Sequence, residues 1–260
     1  MLGALIGDIA GSAFENTHCH CISNSLFWSQ SRMTDDSVMT AAVASAVLKG
    51  NLHDMEAFSA DVKSEMLRMG KLYPRAGYGG RFLIWLNSEN PQPYHSYGNG
   101  SGMRVSPVAW AAESLEQCLA LARASAVVTH DHPDGILGAE TVAGAVYLAR
   151  EGKSMAEIRA FVTARYPIDF TLAEIRESYE FDDTCAGSIP QAMEAFFESA
   201  DFRSAILNAI SIGGDSDTIA CMAGAVAAAY YGIPKDIRTE VMKYITGEVR
   251  NIYDRFVEVY

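Results

Sequence analysis

Two short acidic segments carry the side chains best suited to chemistry in this chain. The first is Thr34-Asp-Asp-Ser37 and the second is Gly213-Gly-Asp-Ser-Asp-Thr218. Each contains two carboxylates and a threonine hydroxyl, and each stands directly before a segment that is apolar on nearly every helical face, 38–48 and 219–231. Because Asp, Ser and Thr also cap helix N-termini, capping is the simplest interpretation of either segment taken alone.

Capping does not account for the two segments together. A helix without a polar face is usually buried, so both helix starts are expected near the core. Four carboxylates brought together there would repel one another and lose their hydration. A hard divalent cation removes that conflict, and these oxygens suit Mg²⁺, Mn²⁺ or Ca²⁺ but not Zn²⁺. We therefore predict a site for two such ions, with the ligands Thr34, Asp35, Asp36, Asp215, Asp217 and Thr218.

Two other motifs suggest different chemistry. Asp215-Ser-Asp-Thr218 fits the D-x-D-x-T pattern of haloacid-dehalogenase-type phosphatases, in which the first aspartate is a nucleophile. That pattern normally follows the first strand of a parallel sheet, whereas here it comes late and after a helical pattern. His18-Cys-His-Cys21 suggests zinc, but alternating ligands without a second cluster make a poor tetrahedral site, and we predict a loop there.

The elements that must position these side chains are helices. Apolar residues recur three or four apart over 58–69, and capping boxes begin helices near Ser154 and Thr171. Strand-like patterns are short and isolated, at 126–129 and 210–212. We predict an all-α fold. It is a compact orthogonal bundle of ten or more helices, in a single domain spanning the chain, around a central cleft that holds the binuclear metal site.

Composition narrows the possible partners. The chain has 260 residues with 49% hydrophobic and 20% charged side chains, and a formal net charge of −12. The electrostatic field of a protein with this net negative charge opposes binding to nucleic acid or to an anionic membrane. A bound cation can reverse that field inside a cleft. The five cysteines are scattered, the N-terminus is a poor signal peptide, and the longest apolar stretch is too short to cross a bilayer. We predict a cytoplasmic protein with no membrane partner.

Several motifs, in a fixed order, make the chain similar to a known family. These motifs are Gly7–Glu15, Thr34–Ser37, Gly98–Arg104, Thr129–Pro133, Ile212–Ile219 and Ala229–Gly232. Over nearly its whole length the chain resembles the ADP-ribosylglycohydrolase family, which includes the dinitrogenase-reductase-activating glycohydrolases. The resemblance implies an all-α fold and a pair of Mg²⁺ or Mn²⁺ ions on the same ligands. It also implies hydrolysis of the bond between the anomeric carbon of ADP-ribose and an acceptor.

The resemblance also implies further site residues. The glycine-rich loop would bind the pyrophosphate through Gly98, Asn99, Gly100, Ser101, Gly102 and Met103. His130 would contact the substrate, whereas His132 is expected to cap a helix and Arg104 to form internal contacts. Asp36, or Glu15 after the first helix, would orient or deprotonate the attacking water. No residue is assigned as the acid for the leaving group.

Alternatives stay open at this point. The same resemblance includes a lens crystallin, so a non-catalytic protein is the second hypothesis and the phosphatase is the third. The acceptor is equally open among arginine, serine, acetyl and nucleic-acid conjugates of ADP-ribose. Nucleic acid is expected as a partner only in that ADP-ribosylated form.

Overall fold

The computed structural model describes residues 1–15 and 25–260, and these residues form helices without a strand. The helices are α1 Leu2–Gly11, α2 Asp35–Val47, α3 Met55–Leu72, α4 Gly80–Leu86, α5 Gly100–Met103, α6 Ser106–Ala111, α7 Leu115–Ala126, α8 Pro133–Arg150, α9 Met155–Thr163, α10 Leu172–Ile175, α11 Cys185–Phe197, α12 Phe202–Ser211, α13 Ser216–Tyr231, α14 Lys235–Val241 and α15 Gly247–Val259. The predicted all-α class with ten or more helices is confirmed. Buried side chains from all of them join in one hydrophobic core.

The strand-like segments lie at helix ends. Residue 126 closes α7 and residues 127–129 form the turn that follows, while residues 210–212 close α12. Strand propensity depends on neighbouring strands to pair with, and the described chain offers none there. The phosphatase alternative is therefore wrong, because Asp215 follows α12 and not a strand of a parallel sheet.

Both helices that follow the acidic segments are buried, as the sequence predicts. Every residue of α2 from Asp36 to Val47 is buried, and so is every residue of α13 from Ser216 to Ala227. Thr34 caps α2, with its hydroxyl accepting the Asp36 N–H, and Asp215 occupies the N-cap position of α13. Nowhere in the described part of the chain is a helix both long enough and apolar enough to span a bilayer.

Helix α1 packs against α13 with almost no side chain between them. Gly7 and Gly11 lie four residues apart on the contact face of α1. A Cβ on Gly7 would lie 1.9 Å from the carbonyl oxygen of Ala220, and one on Gly11 would lie 2.4 Å from that of Ser216. This close approach brings α1 against the start of α13, where the second acidic segment lies.

Replacing Gly7 with Ala is expected to destabilise the fold by about 3 kcal/mol, because the added methyl group overlaps the α13 backbone and separates the two helices. Urea unfolding would measure the change. Gly80→Ala is the matched control, since a Cβ there meets nothing within 4 Å, and it should be neutral or stabilising by up to about 1 kcal/mol. Equal stability of the two variants would contradict the close packing of α1 and α13.

Candidate metal centre

The two acidic segments meet at the start of α2 and α13. The Thr218 hydroxyl donates to Asp36 Oδ2 at 3.2 Å, a contact between residues 182 positions apart. The side chains of Asp36 and Asp217 are 2% and 3% exposed, so they meet in a nearly dry environment. The structure therefore brings the two acidic segments into contact, and the predicted set of six ligands stays a prediction.

Asp8 of α1 also belongs to this cluster, although it is not among the ligands predicted from the sequence. Its Oδ1 accepts the Thr34 hydroxyl at 2.6 Å, and its Oδ2 accepts the N–H groups of Thr34 and Ser37, each at 3.0 Å. The Ser37 hydroxyl also donates to Oδ2. A signal was present in the sequence, because Asp8 is the one charge in a helix whose other residues are all small or apolar. A charge on such a helix needs partners.

Asp8 and Asp36 differ in the oxygens that they leave free. One carboxylate oxygen from each of Asp8, Asp36 and Asp217 lies within 4.8 Å of the others. Three of the four hydrogen bonds to Asp8 fall on Oδ2 and one on Oδ1, so Oδ1 keeps one lone pair free, whereas Asp36 Oδ1 is buried and has no hydrogen-bond partner at all among the described residues. Asp36 therefore presents a free ligand atom. Asp8 orients Thr34 by accepting a hydrogen bond from its hydroxyl, and the Asp36 N–H donates to one lone pair of that hydroxyl, so one lone pair remains for an ion.

The electrostatics of the cluster fit a hard cation. Burial, followed by the charge of Asp8, raises the pKa of Asp35 to about 7, and burial raises the pKa of Asp8 to about 6. Burial and the neighbouring carboxylates hold the pKa values of Asp36 and Asp217 well above their usual range. Ionising these groups together is costly in the protein alone. Carboxylate and hydroxyl oxygens are the donors that Mg²⁺ and Mn²⁺ prefer, so the residues fit such ions.

The glycine-rich loop forms the wall of a cleft above the cluster. The cleft has about 950 Å³ of empty space, part of it open to solvent. Asn99 Nδ2 donates to Asp215 Oδ2 at 2.6 Å, which ties the loop to the second acidic segment. A Cβ on Gly98 or Gly100 would lie 3.7 Å or 3.2 Å from His130 Nε2. Only a backbone without side chains leaves this space between the loop and His130 open.

The predicted loop residues do not all face the cleft. Gly98, Asn99, Gly100 and Met103 line it. The Ser101 hydroxyl donates to the Gly135 carbonyl at 2.6 Å, and a Cβ on Gly102 would lie 3.1 Å from Met222 Sδ. The Ser101 side chain and Gly102 therefore pack the loop against the core.

Arg104 holds this loop from behind. It is 1% exposed and donates to the Gly100 carbonyl at 2.9 Å, the Ser125 carbonyl at 3.1 Å and the Thr129 hydroxyl at 2.9 Å. The internal role predicted for Arg104 agrees with these contacts. His132 caps α8 by accepting the Asp134 N–H, as expected.

His130 and Glu15 both line the cleft. Burial, then the charges of Arg104 and Arg81, hold the pKa of His130 well below its usual range, so the ring is neutral. Glu15 is about one-third exposed and lies 4.0 Å from Arg32 Nη2. The His18-Cys-His-Cys21 motif lies outside the described residues.

Comparison with known proteins identifies the class that this fold and cleft define. The sequence model of the family described as ADP-ribosylglycohydrolase matches residues 1–260. The chain belongs to the ADP-ribosylglycohydrolase family, and the resemblance seen in its motifs is confirmed.

Individual relatives agree with this assignment. The chain is 27% identical to the ADP-ribosylhydrolase ARH3 of Homo sapiens, over 90% of this chain and 84% of that one. It is also 27% identical to the ADP-ribosyl-(dinitrogen reductase) glycohydrolase of Rhodospirillum rubrum, over 78% and 70% of the two chains. A solved ADP-ribosylglycohydrolase-related protein complex contains a chain of the same fold, with a TM-score of 0.69, 22% identity and coverage of 96% and 92%.

Proposed function

We propose that residues 1–260 form one domain that hydrolyses the N- or O-glycosidic bond between the anomeric carbon of ADP-ribose and an acceptor, and so reverses ADP-ribosylation. The observation that carries this proposal is the contact of the two acidic segments beneath a glycine-rich loop. The names of the two relatives, which specify ADP-ribosyl hydrolysis, support the substrate class. We place the activity in the cytoplasm, since Cys118, Cys185 and Cys221 are buried free thiols.

Two Mg²⁺ or Mn²⁺ ions are part of the proposal, held by Thr34, Asp35, Asp36, Asp215, Asp217 and Thr218. When bound, such ions supply positive charge that orients sugar hydroxyls and makes a water more acidic. A carboxylate of this chain would then accept the proton that the attacking water loses. Asp36 or Glu15 accepts it from the attacking water, because both line the cleft.

His130 is proposed to donate a hydrogen bond to the diphosphate. Arg104 has only donors, so Thr129 Oγ1 accepts from it and keeps its own proton free. We infer that this proton is donated to His130 Nδ1, 2.7 Å away, so that the ring proton lies on Nε2. Nε2 faces the glycine-rich loop. The N–H groups of Gly98, Asn99, Gly102 and Met103 already donate within the protein, so those of Gly100 and Ser101 would bind the same phosphates.

A panel of defined conjugates tests the proposal. The purified protein would be incubated with ADP-ribosyl-arginine, ADP-ribosyl-serine, O-acetyl-ADP-ribose and ADP-ribosylated nucleic acid, in Mg²⁺, in Mn²⁺ and in excess chelator. We expect release of ADP-ribose from at least one conjugate, and only with metal. Binding of ADP-ribose and metal without any release would favour the crystallin-like alternative. Release that persists in chelator would contradict the metal dependence.

A further inference from the structure

The cleft is lined by more acidic than basic residues, which is unusual for a site proposed to bind a diphosphate. The acidic residues lining it are Glu15, Asp35, Asp36, Asp183, Asp215 and Asp217. The basic residues are Arg81, Arg104 and His130. Arg104 is buried, and it donates hydrogen bonds to the Gly100 and Ser125 carbonyls and to the Thr129 hydroxyl. The His130 ring is neutral. Among the described residues that line the cleft, Arg81 is therefore the one cation open to solvent.

Arg81 is held in place on the cleft wall. It lies near the start of α4, and its Nη2 donates to the carbonyl oxygen of Tyr94. Its guanidinium also lies over the Tyr94 ring, 5.0 Å from the ring centroid. Two anchors of this kind reduce the entropy that the side chain would lose on binding a ligand, and they leave its other N–H groups free.

Arg81 belongs to the same wall as the glycine-rich loop. The Tyr94 ring lies 6.0 Å from the His130 ring, and His130 Nε2 lies against Gly98 and Gly100. Arg81, Tyr94, His130 and the loop thus form one continuous surface. Its other donors are backbone N–H groups and a neutral imidazole, and Arg104 is buried behind the loop, so Arg81 adds the one full positive charge that is exposed to solvent on this wall.

We propose that Arg81 binds the diphosphate of the ADP-ribose moiety and is a specificity-determining residue of this chain. The inference rests on the proposed function. ADP-ribose carries two negative charges, and the carboxylates of the cleft and the net charge of −12 oppose its entry. A guanidinium matches phosphate oxygens in geometry and charge, and its hydrogen bonds are stronger than those of a neutral donor.

The test is calorimetric binding of free ADP-ribose to the full chain in Mg²⁺, at several salt concentrations. Arg81→Gln is expected to raise Kd about 10- to 100-fold and to weaken its dependence on salt. Arg81→Lys should recover part of the salt dependence, because it restores the charge but not the planar guanidinium. In hydrolysis assays, Arg81→Gln should raise KM more than it lowers kcat.

Arg165 provides a matched control. Its guanidinium lies 3.7 Å from the centroid of the Phe161 ring and donates to the Phe161 carbonyl at 3.0 Å, but it does not line the cleft. Arg165→Gln removes the same kind of anchored cation and should leave Kd and its salt dependence unchanged.

Three outcomes would overturn the assignment. The first is an Arg81→Gln protein that binds ADP-ribose as the parent does, with the same salt dependence. The second is an unchanged Kd for free ADP-ribose with a raised KM for a conjugate, which would place Arg81 against the acceptor. The third is a parent protein that does not bind ADP-ribose at all. That result defeats the proposed function as well, whereas the first two leave it standing.

Discussion

Asp217→Asn is expected to lower metal-dependent release of ADP-ribose by at least about 100-fold while the chain stays folded. The amide keeps the oxygen that accepts the Thr218 N–H at 3.0 Å, so the start of α13 is preserved. It loses the negative charge proposed to bind a cation. Removing a residue that merely orients a metal ligand costs about 10–100-fold, so losing a ligand should cost more. The measurement is kcat/KM at saturating Mg²⁺.

Thermal unfolding separates this effect from misfolding. Without metal, Asp217→Asn should melt at a higher temperature than the parent, because burial and the charges of Asp36 and Asp215 disfavour the Asp217 carboxylate. Added Mg²⁺ should stabilise the parent more than the variant. The exposed Asp169→Asn is the control and should change neither property. Full activity in Asp217→Asn would remove the basis of the proposed metal centre.

Asp8→Ala is expected to destabilise the protein by about 3–5 kcal/mol and to weaken Mg²⁺ binding about 10–100-fold. It leaves the buried N–H and hydroxyl groups of Thr34 and Ser37 without their acceptor, at the start of α2. It also frees the Thr34 hydroxyl to rotate, which is why metal affinity should fall in molecules that are still folded. Urea unfolding and Mg²⁺ calorimetry are the measurements.

Asp8→Asn provides the second variant in case Asp8→Ala does not fold. It keeps the size of the side chain and one acceptor oxygen, but it turns an NH₂ group toward donors. We expect an intermediate loss of stability and a similar loss of Mg²⁺ affinity. If both variants bound Mg²⁺ as tightly as the parent, Asp8 would be a structural cap for α2 with no part in the site.

The helical architecture was predictable because its signals are local. Apolar periodicity over 58–69 and the capping boxes at Ser154 and Thr171 depend on residues within one or two helical turns, and each lies in or begins a helix here. The proximity of the two acidic segments was predictable for another reason. Both precede helices with no polar face, and burying both helices limits where their N-termini can lie.

Contacts between distant segments needed the folded structure. Asp8 contacts Thr34 and Ser37 at the start of α2, while glycines let α1 approach α13 closely, and no local pattern encodes which surfaces meet there. Arg81 reaches the wall of the cleft through its contact with the backbone of Tyr94.

The sequence therefore specified the helices and the chemical types of the side chains that meet, since helix propensity and charge belong to single residues and their near neighbours. Packing then assigned individual roles, because the direction of a side chain depends on contacts that distant helices impose. Within one loop, the Asn99 side chain holds Asp215, the Ser101 hydroxyl binds the backbone of α8, and Gly100 leaves room beside His130.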